Sequence, residues 1–329
     1  MNGKSERPLL TAGVTAYNAA DTIERAVNSA LAQTWQPLEI LIVDDGSTDS
    51  TRDILARLEA DHPQIRVVLH DDNQGTAAGR NTLIEHAHGD AIAFFDDDDI
   101  SHPERVARQW HRLTTYEQQH GAELPILCYA GRTEVFPDGS ESQQPGHGSQ
   151  ETGTGPHGER LLGALLWHKR LPHRQRGVGG TGAQLGRVTT YQRLGGFDTR
   201  FRRAQDTELD IRLARAGGHL IGVAEPLVTQ VLTPAADRNV QVQKDASIQL
   251  LHKHRHAFPS NAMFVATVRW TEAKFALRSG QRRAAIRYLG RAALVHPAYT
   301  LRRLLSYVTD TRRYRARRRG LDAAFRAAG

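Results

Sequence analysis

Cysteine is nearly missing from this chain. Cys128 stands alone among 329 residues, which excludes a disulfide framework and a thiolate zinc site and predicts a reducing compartment. Its neighbours Ile126, Leu127 and Tyr129 mark it as core. No apolar run reaches the roughly 18 residues that a membrane-crossing helix needs. The opening residues Met1 to Pro8 are polar and lack the apolar centre of a secretory signal, so a cytoplasmic protein is expected. No Gly-x-Gly-x-x-Gly follows the first apolar run, where Tyr17-Asn18-Ala19-Ala20 stands instead; this argues against a dinucleotide-binding oxidoreductase. His147, His157, His168 and His173 are scattered without ligand spacing, and each is expected to be exposed or satisfied.

Acidic residues are scarce at one end only. From Asn261 onward there are 16 Lys and Arg against 3 Asp and Glu, a balance of +13, whereas the preceding 260 residues carry −6. The expected organisation is an α/β domain over 1–235 and a basic helical tail over 236–329. Arg302, Arg303, Arg312, Arg313, Arg315, Arg317, Arg318 and Arg319 lie beside Leu301, Leu304, Leu305 and Tyr307, a basic face next to an apolar one. That pattern predicts peripheral attachment to an anionic membrane surface, on the inner face of the cell membrane. A solvated charged helix is the plainer reading of the same residues. Nucleic acid is disfavoured as a partner, because no aromatic platform is interleaved with the arginines.

What is present begins with short apolar runs. Leu9 to Ala16, Glu39 to Val43, Ile65 to Leu69 and Ala91 to Phe95 read as strands. Between them, helical stripes run through Ile23, Ala26, Val27, Ala30 and Leu31, then Ile54, Leu55 and Leu58, then Asn81 to Ile84. Asp21 and Glu24 have capping-box spacing at the first of these helices. Such βαβα alternation predicts a mostly parallel sheet covered by helices. Pro137 to Gly158 is rich in Gly, Ser, Gln and His without periodicity and reads as a long loop, a lid or an insertion. Beyond it come an ordered stretch at Leu161 to Trp167, a helix through Leu209, Leu213 and Ala214, and a helical hairpin over Thr271 to Leu305 that turns at Gly280.

The densest chemical signal is Asp96-Asp97-Asp98-Asp99, four carboxylates directly after the apolar run Ala91 to Phe95. At the carboxyl end of a buried strand, mutual repulsion disfavours such a cluster unless a cation offsets it. A hard divalent ion, Mg²⁺ or Mn²⁺, carrying a phosphorylated ligand is the expectation, against the bland alternative of a solvated acidic turn.

Five motifs in order then resemble the inverting glycosyltransferases of family 2, of GT-A fold. They are Val14-Thr15-Ala16-Tyr17-Asn18; Val43 to Asp49; Asn73-Gln74-Gly75 with Arg80-Asn81; Phe95 to Asp99; and Gly195-Gly196-Phe197-Asp198 followed by Asp206. The resemblance covers about Leu9 to Leu232 and leaves out the tail. It implies a nucleotide-sugar donor, a UDP-sugar favoured, and a glycan or lipid-linked acceptor in bacterial surface glycan assembly: lipopolysaccharide, capsule or exopolysaccharide. It also implies that Tyr17 stacks on the base, Asp45 accepts a hydrogen bond from it, and Arg80 faces the phosphates. Asp96 or Asp97 then takes the ribose, Asp98 the metal, and Asp206 acts as the catalytic base. Where the family carries a Glu-Asp pair this chain has Gln205-Asp206, so the neighbouring acid is absent. The Gln-x-x-Arg-Trp element of processive synthases is also broken, with Ala266 in the Gln position before Arg269-Trp270, which argues against processivity. The competing reading is a non-catalytic GT-A-like interaction protein whose basic tail binds membrane or RNA.

Overall fold

The computed structural model describes residues 7–307 apart from 137, 151, 173, 174, 176, 178 and 233–238. Seven alternating elements open the chain: β1 (Leu10–Ala16), α1 (Ile23–Leu31), β2 (Leu38–Asp44), α2 (Thr51–Asp61), β3 (Ile65–Leu69), α3 (Thr76–His86) and β4 (Ala91–Asp96). Then come β5 (Ile100–Ser101), α4 (Arg105–His120), β6 (Ile126–Val135), β7 (Glu141–Gln144), α5 (Gly158–Trp167), β8 (Gln184–Arg187), α6 (Val188–Leu194), α7 (Gln205–Arg215) and β9 (His219–Val231). The described strands form one mixed sheet in the order β3-β2-β1-β4-β8-β6-β9-β5, with β7 paired to β6. Pairing is parallel from β3 through β4 and antiparallel where β8 meets β4 and β6.

Alternation within β1 explains its place at the centre. Leu10, Ala12, Val14 and Ala16 share one face with Ile40 and Ile42 of β2 and Ala93 and Phe95 of β4. Against this face lie Ile23, Val27 and Ala30 of α1 and Val106, Leu113 and Tyr116 of α4. Between β1 and β4 the strand order switches from 3-2-1 to 4, the kind of position where open α/β sheets leave a crevice at the strand carboxyl ends.

Two local expectations need correction. The Asp21/Glu24 capping box does not form: α1 starts after Thr22, which makes no side-chain cap, and the first turn closes by Thr22 and Ile23 amides donating to the Ala19 carbonyl. The stretch 137–158 is not loop throughout. It contains β7, which pairs antiparallel with β6 over Glu141↔Val135 to Gln144↔Arg132, so ladder hydrogen bonds replace the missing apolar periodicity.

The chain clusters into two compact units. The first gathers the sheet with the segments ending at Val135, Val231 and Leu161; the second gathers Phe136–Ser140, Leu162–Arg170 and the chain from Leu232 onward. In the second unit lie α8 (Val240–Lys253), α9 (Asn261–Arg278) and α10 (Arg282–Val295), with residues 297–307 also helical. Asn239 caps α8 and Ser260 caps α9 by accepting backbone amides, and Gly280 at φ +74° turns α9 into α10, as the hairpin reading expects. None of the described helices is long and apolar enough to cross a membrane.

Candidate active site

Parallel register assembles the site. Ala16 lies opposite Asp44 and Thr15 opposite Asp96, so the residues that follow, Tyr17, Asp45 and Asp97, leave three neighbouring strands at the same edge. There they line a cleft of about 550 Å³ together with Arg80, Asp96, Asp98 and the turn Asn73-Gln74-Gly75. Six of the seven expected site residues are thereby gathered, and their polar side chains suit a polar, phosphate-bearing ligand.

Each contributes differently. Tyr17 is 45% exposed, its ring open to the cleft, while its amide donates to Asp97 Oδ2 at 3.1 Å. Asp45 is buried: Oδ1 accepts from the Gln74 amide at 3.0 Å and faces His70 Nδ1 at 2.8 Å, and Oδ2 accepts from the Gly75 amide at 2.8 Å. It therefore ties the 73–75 turn to the end of β2, rather than capping α2. The Arg80 side chain is neither a surface charge nor a free fork. It is buried and donates from Nη2 to Asp96 Oδ1 at 3.0 Å, with its guanidinium 5.6 Å from the Phe197 ring centroid.

The four aspartates are sharply differentiated. Asp98 is exposed, and no hydrogen bond to its carboxylate is found among the described residues; partial withdrawal from water and then the Asp96 charge raise its pKa. Burial, with Asp98 and Asp96 nearby, pushes Asp97 up to about 7 against the Tyr17 amide, which favours ionisation. Asp99 is buried with both carboxylate oxygens unpartnered, and burial together with the Asp96 and Asp98 charges pushes it up to about 8. Behind the cluster the fully buried Arg105 donates to the Phe94 carbonyl at 2.7 Å, Ser101 Oγ at 2.8 Å and Gln109 Oε1 at 3.0 Å.

A cation fits this set. Among the described residues no three His, Cys, Asp or Glu side chains converge on one point. A Mg²⁺-like ion needs only one or two carboxylates when substrate phosphates complete its shell, and Asp98 is the exposed carboxylate available for that.

Asp206 stands apart from the cleft lining, which reaches its neighbour Gln205. It is the second residue of α7, entered through Ala204 in the left-handed region at φ +62°. Asp206 Oδ1 accepts from the Thr207 amide at 2.6 Å and from the Thr207 hydroxyl at 3.3 Å. One turn later Asp210 is buried and receives the Tyr129 hydroxyl at 2.7 Å, and burial raises its pKa strongly, with the Asp206 charge adding to it. Glu208 is fully buried and pairs with Arg212 at 2.7 Å.

The Gly195-Gly196-Phe197 motif has a structural explanation. Gly195 caps α6 at φ +77°; a side chain at Gly196 would collide with Asn81 Oδ1. The Asn81 side chain accepts from the Phe197 amide at 2.7 Å and donates to its carbonyl at 2.9 Å. Two motifs far apart in sequence thus lock each other, and Phe197 supports Arg80.

Sequence reading missed two groups. Thr199, Phe201, Arg202 and Arg203 line the cleft just before α7, and the basic run Arg200 to Arg203 ahead of Gln205-Asp206 was the available signal. His147 is half-buried, with Nδ1 unpartnered among the described residues and its ring edge-on to Tyr129 at 6.1 Å; loss of water lowers its pKa, against a hydrogen bond to the Gln175 backbone and the Asp206 charge. That departs from the expectation of an exposed or satisfied histidine, and burial likewise drives His168 down to about 3. His157 stacks on His219 at 4.3 Å, and His173 lies outside the described residues.

The profile of "Glycosyl transferase family 2" matches residues 11–120. The putative teichuronic acid biosynthesis glycosyltransferase TuaG of Bacillus subtilis is 42% identical over 103 residues, 31% of this chain and 41% of its own length. The succinoglycan biosynthesis protein ExoO of Rhizobium meliloti is 42% identical over 127 residues, 38% of this chain and 36% of its own. The matched part is thus well under half of either relative. In fold, S. aureus TarS 1-349 in complex with UDP-GlcNAc superposes with TM-score 0.59 at 16% identity over 92% of this chain and 87% of that one. The mannosyltransferase PcManGT from Pyrobaculum calidifontis, in complex with GDP-Man and Mn²⁺, gives TM-score 0.57 at 19% identity over 98% and 86%. The segment 11–120 is thus similar in sequence to glycosyltransferase family 2, and the chain as a whole has a GT-A-like fold.

Proposed function

We propose that the protein is an inverting, non-processive glycosyltransferase that moves a sugar from a nucleotide-sugar donor to a hydroxyl acceptor in bacterial surface glycan assembly. The observation that carries this reading is the convergence of Tyr17, Asp45, Arg80 and Asp96 to Asp98 on one cleft at the strand carboxyl ends. The names of the relatives, in teichuronic acid and succinoglycan biosynthesis, support the pathway class. UDP-GlcNAc and GDP-Man in the structural relatives support the donor class, with a UDP-sugar favoured.

In this reading the open ring of Tyr17 stacks on the base. Asp45, spent on the 73–75 turn through two amides, offers a remaining lone pair to a base N–H. Arg80 holds Asp96 for the ribose or diphosphate, and Arg202 and Arg203 bring positive charge to the same cleft. Asp98, with Asp96 or Asp97 beside it, would hold Mg²⁺ or Mn²⁺, which neutralises charge building on the leaving diphosphate. Asp206 Oδ1 is occupied by Thr207, which leaves Oδ2 to take the proton of the acceptor hydroxyl. Attack from the face opposite the leaving group inverts the anomeric centre. Gln205 cannot supply a second acid, so Asp206 works without one.

Loss of processivity fits the second unit, where Ala266 is buried, Arg269 pairs with Glu272 at 2.7 Å and Trp270 is core. The C-terminal basic region extends the proposal to an anionic membrane surface; of the arginines behind that expectation, Arg302 and Arg303 are the described ones.

The test is calorimetric titration of UDP-sugars and GDP-sugars with and without Mn²⁺, followed by product analysis with candidate acceptors. Metal-dependent donor binding is expected, and Asp98→Asn should weaken it roughly 10- to 100-fold, the worth of one charge-assisted contact. Equal affinity with and without Mn²⁺ would sink the role of Asp98 while leaving the family assignment in place.

A further inference from the structure

Helix α10 leaves much of its apolar bulk in water. It buries the small Ala285 and Ala292 and half-buries Tyr288 and Leu289, while Ile286 is 70% and Leu294 86% exposed. Gly290, Ala293 and Leu294 lie four, seven and eight residues after Ile286, so with it they form one outward stripe. Val295 adds to its end. Of the eleven large apolar residues exposed among the described residues, six fall between Ile286 and Leu305. A water-facing helix normally sets its bulk inward and polar residues outward.

The charge around the stripe is of one sign. From Ser279 to Tyr307 there are six arginines and no acidic residue. Arg282, Arg283, Arg287 and Arg291 are exposed along α10, and among the described residues none of them forms an ion pair. A second copy of this chain laid isologously on the same face would set arginine against arginine, so self-association is disfavoured. The complement of an apolar stripe bordered by unpaired arginines is a surface with an apolar interior and anionic headgroups.

We propose that the outward face of α10 is a docking surface for an anionic lipid bilayer, with Ile286 and Leu294 inserted at the headgroup boundary and the arginines on lipid phosphates. It lies within the second unit and is independent of the donor cleft. It sharpens the proposed membrane attachment by assigning it to α10 rather than to the arginines past Val308.

The test is vesicle flotation of the full chain with phosphatidylglycerol-containing and pure phosphatidylcholine vesicles at low and high salt. Wild-type protein should float only with the anionic vesicles, less at high salt. Ile286→Ser/Leu294→Ser and Arg287→Gln/Arg291→Gln should each lower partitioning roughly tenfold or more. All forms should keep wild-type circular dichroism and nucleotide-sugar titrations, so a failure here is separate from a failure of the cleft. If both double variants float like wild type, the α10 assignment is overturned, and a chain ending at Tyr307 then tells whether the last residues anchor instead. If wild type floats with neither vesicle, the membrane reading as a whole is overturned. A concentration-dependent dimer in sedimentation velocity that Leu294→Ser dissolves would assign the face to self-association and likewise overturn the proposal.

Discussion

The two units of this protein handle charge in opposite ways. In the first, ionisable groups are buried and bound to specific partners: Arg105 to three acceptors, Arg80 to Asp96, Glu208 to Arg212, with acids crowded at one strand end. In the second, arginines stand on the surface of α10 without ion pairs among the described residues, around an exposed apolar stripe. A charge held in a fixed, partly dry geometry serves chemistry, because its energy changes steeply when a proton or phosphate arrives. Charges spread in water serve weak, salt-sensitive attraction. Substitutions should separate the two.

The largest effect is expected at Asp206. Asp206→Asn keeps side-chain size but cannot accept the acceptor proton, so transfer should fall by about two to four decades while donor affinity stays the same. Steady-state transfer and donor calorimetry on one preparation check both halves. Turnover within a few-fold of wild type would move the base elsewhere, and the buried Glu208, already committed to Arg212, is a poor substitute.

Stability should break next, at Arg105. Arg105→Met removes the donor to the Phe94 carbonyl, Ser101 and Gln109 and strips the cation that opposes Asp96 and Asp99. Urea unfolding should show a loss of about 3 kcal/mol or more, as when a buried charge loses its counterpart. The matching change in the second unit, Arg291→Gln, should stay within about 0.5 kcal/mol, as exposed substitutions do. Equal losses at the two positions would erase the contrast.

How far the sequence carried depended on the kind of physics. The strands β1 to β4 and their helices were legible because apolar periodicity is local, and the order of the five motifs placed Tyr17, Asp45, Arg80 and the aspartates. Hidden were features made by long-range register. Pairing of Arg80 with Asp96, and the clasp of Asn81 on Phe197, join residues 16 and 116 apart. The strand β7 lay within a stretch whose composition reads as loop, since its order comes from the ladder with β6. Which face of α10 is left open was likewise invisible, because Ala285 and Ile286 differ by only one position and only the packing decides which is covered.

The smallest effect sharpens the comparison through pH. Asp99 has a folded-state pKa near 8 against 3.8 for the free group, so between about pH 4 and 8 the folded chain holds a proton that the unfolded chain has lost. Stability from this group is therefore full below about pH 4 and falls as pH rises towards 8; Asp97, near 7, acts in the same direction. Lys274, in the second unit, is shifted the other way: burial beside Arg278 and Arg303 lowers it from 10.5 to about 8. Its folded form gives up a proton that the unfolded form keeps between about pH 8 and 10.5, so its contribution improves with rising pH. Asp99→Asn, which mimics the protonated acid, should match wild type below about pH 4 and exceed it increasingly as pH rises, by about 2 kcal/mol or more at pH 9. Lys274→Gln should exceed wild type by roughly 1 kcal/mol at pH 7, a figure reduced for partial solvent screening, and converge with it above pH 10.5. Melting curves from about pH 3.5 to 11 decide the matter. Opposite slopes would show that the first unit keeps acids neutral while the second tolerates a cation among cations, and parallel curves for the two variants would show that one electrostatic environment serves both.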